Sequence, residues 1–170
     1  MKWTPFVILA GVTVVLQMSA TPYLEIQSIR PDLMFILAAH YALWGPWPDA
    51  AIAAWILGLV ADMQSLDRLG VHAFSFGLAA WAIMRVRMVV FRDHAATQIV
   101  ITLLFTILIQ IGVALYRRWG GSGSGGSILW PAILTGFYTA MCAPYLHWLL
   151  IRMSRWTGLK ANRGLLSPQG

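Results

Sequence analysis

Six stretches of predominantly apolar residues, separated by prolines and short polar clusters, occupy most of the chain. A hydrocarbon core near 30 Å thick is crossed by about 20 apolar helical residues. Only elements that satisfy their own backbone polar groups are stable inside it. That criterion predicts helices at 3–21, 33–44, 49–61, 70–84, 96–116 and 128–151. Pro22 and the polar stretch from Glu25 to Asp32 end the first. Gly45-Pro46-Trp47-Pro48 joins the second and third as a hairpin, because prolines in that turn cannot continue a helix. At 1.5 Å per residue each hairpin helix covers roughly 20 Å. The pair either spans with its polar ends dipping inward or re-enters from one face under protein cover.

Composition says where the apolar surface must go. Hydrophobic residues make up 59% of the 170 and charged residues 11%, against about 25% charged in soluble domains. A small soluble domain buries only about two-thirds of its surface, so the excess must face lipid. The chain reads as an all-α polytopic membrane protein, a six-helix transmembrane bundle forming one domain over residues 1–156. Residues 157–170 form a basic cytoplasmic tail. The first apolar run reads as a retained signal anchor rather than a cleaved leader. The run Gly120 to Ser127 is a flexible tether without chemistry of its own. The single cysteine, Cys142, rules out an internal disulfide and reads as a buried inert thiol.

The net charge of +6 raises nucleic acid as a partner, but its distribution speaks for membrane orientation instead. With both termini cytoplasmic, Lys2, Arg85, Arg87, Arg92, Arg152, Arg155, Lys160 and Arg163 lie inside. Only Arg30, Arg68, Arg117 and Arg118 then lie outside. This is the bias the positive-inside rule expects of a multi-pass membrane protein. Trp3, Trp44, Trp47, Trp119, Trp130 and Trp156 fall near predicted helix ends, where amphipathic rings prefer to sit.

Polar residues at membrane depth are costly and so mark function or structure. Asp62 ends the third predicted helix. It reads either as a cavity-lining carboxylate paired with Arg68 or His72, or as an interfacial residue capping the next turn. His72 follows Gly70 at the start of the fourth helix, within reach of Asp62. Asp32, just after Pro31, suits the positive end of a helix dipole. His40 and Tyr41 lie mid-helix, where a buried histidine satisfied by a neighbour is commoner than a ligand. Gln17, Gln110 and His147 read as hydrogen-bonding across helix interfaces. The four histidines show no i, i+4 pair and no cysteine partner, so neither a metal nor another cofactor is expected. Ser75 near His72 lacks a nucleophile motif, and an enzyme built on Asp62 and His72 alone would make a poor site. Gly11, Gly58, Gly77, Gly112 and Gly136 suggest close helix contacts.

Arg30-Pro31-Asp32-Leu33, then Gly58-Leu59-Val60-Ala61-Asp62, then Leu69-Gly70-Val71-His72-Ala73 resemble the MreD family of bacterial rod shape-determining proteins. The pattern is a Pro-Asp-Leu opening, Gly-Leu-x-x-Asp, and Leu-Gly-x-(Asn/His)-Ala. Length, helix count and basic tail agree over nearly the whole chain. The Gly/Ser loop and the charged stretch Met63 to Arg68 depart from the pattern. The resemblance implies a non-catalytic inner-membrane scaffold of cell-wall elongation. It implies binding to the membrane-anchored periplasmic protein MreC, in a complex with MreB, RodA and a class B transpeptidase. It further implies a fold similar to the substrate-binding components of energy-coupling-factor transporters. An outward pocket would then involve Pro31, Asp32, Tyr41, Asp62, Arg68, Gly70 and His72. The alternative is a small-molecule-binding membrane component of a vitamin transporter.

Overall fold

The computed structural model describes residues 2–19, 23, 31–65, 69–87, 95–119 and 129–153. Six helices and no strand occur among them: α1 (Trp3–Ser19), α2 (Leu33–Trp44), α3 (Trp47–Gln64), α4 (Val71–Val86), α5 (Ala95–Trp119) and α6 (Leu129–Arg152). The Gly/Ser run 120–127 and the tail 157–170 lie outside the described residues.

Helix α3 starts at Trp47 rather than at Asp49, with Pro48 in its first turn. First-turn N–H groups have no acceptor within the helix, so proline loses nothing there. At its other end α3 runs to Gln64 rather than to Ala61, which takes Asp62 into its last turn.

The central element is the short α2. Every residue from Met34 to Leu43 is buried, and α2 packs against all five other helices. A helix that is apolar all round belongs inside. Of the two readings of the hairpin, both a span with polar ends dipping inward and re-entry under protein cover are met by an α2 enclosed in this way. It is a core helix surrounded by protein. Around it α3 packs on α4, α4 on α5, and α5 on α6, while α1 lies chiefly against α2. Phe6 of α1 meets the Tyr41 ring edge-on at 5.0 Å.

A short helix enclosed by others must satisfy its terminal backbone groups without water. Neighbouring helices provide the partners. The Asp32 N–H donates to Thr139 Oγ1 of α6 at 3.0 Å, and the Leu33 N–H to Gln17 Oε1 of α1 at 2.8 Å. Asp32 is the N-cap and accepts from the Met34 and Phe35 N–H groups at 3.0 and 3.4 Å. At the other end Arg87, just after α4, donates Nη1 to the Ala42 and Gly45 carbonyls at 2.9 and 2.6 Å. Arg87→Gln should therefore lower stability by about 2–4 kcal/mol, the cost of buried carbonyls stripped of a charged donor. Unfolding in detergent by heat or by dodecyl sulfate checks this.

The bundle carries apolar side chains on its outside, and a few polar side chains lie buried within its largely apolar core. Val7, Ile8, Val12 and Val15 of α1, Leu104 of α5, and Phe137 and Met141 of α6 are exposed. His40, Asp62, Gln98, Thr102, Thr106, Thr139 and His147 are buried. A water-soluble bundle sorts these residue types the other way. Helix α5 is by itself long and apolar enough to cross a membrane over Ala96–Trp119. Helices α1, α2 and α4 are shorter apolar helices.

Candidate functional site at the α3–α4 turn

At one end of the bundle α3 finishes and α4 begins. Gly70, the N-cap of α4, has φ 103° in the left-handed region, where glycine is favoured. It has no side chain with which to cap α4. Asp62 supplies the cap from the preceding helix. Its Oδ2 accepts from the Gly70 and Ala73 N–H groups at 2.8 and 3.1 Å. Its Oδ1 accepts from the His72 N–H at 2.8 Å and from His72 Nδ1 at 3.0 Å. A carboxylate only accepts, so His72 carries its proton on Nδ1 in this contact. Asp62 is 1% exposed, and four hydrogen bonds together with the positive end of α4 offset the cost of burying it.

Close packing makes this reach possible. A Cβ on Gly58 would stand 2.5 Å from Ala73 Cα and 2.8 Å from the His72 carbonyl oxygen. The α3 and α4 backbones therefore touch one turn before Asp62. Gly112 and Ser75 make a comparable contact between α5 and α4, with a Cβ on Gly112 falling 2.6 Å from Ser75 Oγ. Gly11, expected among the packing glycines, instead has nothing within 4 Å, because α1 meets the bundle along Phe6 and Ala10.

The expected site residues are only partly brought together. Asp62, Gly70 and His72 form one hydrogen-bonded unit, with the His72 side chain 15% exposed. Asp32 lies within electrostatic range of His72, and Gln64 Nε2 of α3 approaches Met34 Sδ in the first turn of α2 at 3.7 Å. Pro31 is buried beside them in sequence. Tyr41 is not part of this group. It stands about 13 Å further along α2 by helical rise, with its hydroxyl buried and without a hydrogen-bond partner among the described residues. Arg68 lies outside the described residues.

A second polar group ties α2 to α5 and α6. His40 Nδ1 and His147 Nδ1 are 3.2 Å apart, and His147 Nε2 is 3.5 Å from Thr102 Oγ1. One imidazole donates its Nδ1 proton and the other accepts it. No three of His, Cys, Asp or Glu gather among the described residues.

Sequence reasoning missed Thr139 and Arg87. Thr139 carries no local signal, because its partner is 107 residues away. Arg87 was counted only as an orienting charge.

A family model described as "rod shape-determining protein MreD" matches residues 1–153. No curated protein and no solved structure matches the chain at a significant level.

Proposed function

The chain belongs to the MreD family of rod shape-determining proteins, and from that premise we propose that it is a non-catalytic, multi-pass scaffold of the bacterial inner membrane that binds MreC. Through MreC it would support lateral peptidoglycan synthesis in a complex with MreB, RodA and a class B transpeptidase. Both termini are cytoplasmic in this reading, and the bundle is arranged like the substrate-binding components of energy-coupling-factor transporters. The exposed apolar side chains, with His40, Asp62 and His147 kept inside, support several crossings. No observation favours the vitamin-transporter alternative.

The observation that carries the non-catalytic reading is how Asp62 is used. All four of its hydrogen bonds hold the start of α4, and a carboxylate held this way is a poor general base. In this reading Asp32, Gly70 and His72, with Pro31 packed beneath, present an outward-facing surface to a periplasmic element of the partner, and Arg68, two residues before Gly70 in the sequence, adds a charge for it. Tyr41 contributes by packing inside the bundle. His72 Nε2 is the ring's remaining polar atom and suits such a contact.

Co-purification with MreC in mild detergent tests this. The unaltered chain retains MreC. His72→Ala and Asp32→Ser should each reduce retention about tenfold, or roughly 1.4 kcal/mol, with helicity unchanged. Serine keeps the N-cap and removes only the charge. Loss of MreC binding from no variant, or a rod-shaped host that keeps its width and shape on depletion, would sink the proposal.

Orientation is checked separately by cysteine labelling in a Cys142→Ala background. Leu69→Cys, exposed at the α3–α4 turn, should react with an impermeant maleimide from the periplasm. Trp47→Cys should react only after permeabilisation. The reverse pattern turns the proposed face towards the cytoplasm.

A further inference from the structure

Between α4 and α5 an apolar groove of about 610 Å³ lies on the surface of the bundle. Leu69, Leu78 and Ala82 line one side, and Leu108, Leu115 and Trp119 the other. The Ser75 hydroxyl in its wall is already satisfied, donating to the Val71 carbonyl at 2.8 Å. The walls therefore offer apolar contact and ask for no polar partner.

Dimensions decide between occupants. From Leu69 to Ala82 the groove follows α4 for about 20 Å at the helical rise. That is close to the depth of one leaflet, about 15 Å of hydrocarbon plus part of the headgroup layer. A transmembrane helix about 10 Å wide would lie over a groove of this size, inserting only side chains, rather than within it. A volume of 610 Å³ falls instead in the range of about 300–1,000 Å³ typical of small-molecule sites.

Charge defines the other end of the ligand. Where the groove reaches Leu69 and Trp119, α5 ends in Arg117-Arg118-Trp119. Arg118 and Trp119 are exposed there. A guanidinium matches a phosphate through paired donors, and a tryptophan at this level sits well in the headgroup layer. We propose that the α4–α5 groove holds one acyl tail of an anionic phospholipid whose phosphate is met by Arg118. In the orientation given above, this lipid belongs to the outer leaflet.

The test uses the full chain in phosphatidylcholine bilayers doped with phosphatidylglycerol carrying a diazirine in its tail. After photolysis, label should concentrate on Leu78, Leu108 and Leu115. The excess over the exposed α1 residues Val12 and Val15 should be about fivefold, or roughly 1 kcal/mol. Ala82→Phe and Leu108→Phe, each of which fills part of the groove, should bring labelling there down to the α1 level. Arg118→Gln should remove the preference for phosphatidylglycerol over a diazirine phosphatidylcholine. Melting and helicity identify any variant that has unfolded, and either filling variant suffices. Even labelling of α1 and the groove overturns the proposal. So does equal labelling by the two headgroups in the unaltered chain, or label that survives filling of the groove. A photo-crosslinker at Leu78 that joins two copies of the chain would assign the groove to self-association and overturn it as well.

Discussion

Asp62→Ala should lower the unfolding free energy by about 3–5 kcal/mol, since it leaves several buried donors at the start of α4 without an acceptor. The donors concerned are the N–H groups of Gly70, His72 and Ala73, and His72 Nδ1. Gly70 has no side chain to replace the lost cap, and water reaches the pocket poorly because Asp62 is buried. Asp62→Asn should fall between, because an amide keeps one acceptor oxygen and turns an NH₂ towards donors. Hydrogen exchange locates the effect. The amides of Gly70, His72 and Ala73 should exchange faster in Asp62→Ala, while those in the middle of α5 keep their protection until global unfolding. A loss below about 1 kcal/mol would mean that the carboxylate is not what holds α4.

Gly58→Ala should cost about 2–4 kcal/mol, an unusually large effect for one methyl group, because overpacking here meets backbone rather than a movable side chain. The new Cβ would stand 2.5 Å from Ala73 Cα and 2.9 Å from Ala73 N. Relief requires α3 and α4 to separate, and separation lengthens the hydrogen bonds from α4 to Asp62 one turn away. The two substitutions should therefore be coupled. Gly58→Ala with Asp62→Ala should cost less than the sum of the singles by about 0.5–3 kcal/mol in a double-mutant cycle. Gly11→Ala is the control. With nothing within 4 Å of its new methyl, it should be neutral or stabilise α1 by up to about 1 kcal/mol. Additive behaviour of Gly58 and Asp62 would separate the close approach from the cap.

Helix number and approximate placement were legible because apolar run length is a local property. Proline and glycine interruptions are local too, and α2 begins and ends at the residues where the apolar run does. The Asp62–His72 contact was within reach of sequence reasoning, because ten residues and one turn separate the partners. Its meaning was not. Whether Asp62 lines a cavity or caps α4 depends on how near the α3 and α4 backbones come, and that depends on what faces Gly58. Tyr41 shows the converse. It stands in a motif-rich stretch, yet helical rise carries it away from Asp32 and into contact with Phe6. The glycines also divide on tertiary grounds. Gly58 and Gly112 meet partners at close range, whereas Gly11 faces open space, although all three are glycines within apolar helices.

By itself the sequence determined that this chain is helical, rich in long apolar runs, and marked by three short motifs that point to a shape-determining family. Periodicity and run length depend only on residues close along the chain, so both can be read before folding. Only the tertiary structure decided that α2 is the enclosed centre. It also showed that α2's ends are held by Gln17, Thr139 and Arg87, and that Asp62 serves as a cap. Those roles arise because backbone groups taken out of water must find partners wherever the fold brings them, and here the partners come from distant turns of other helices.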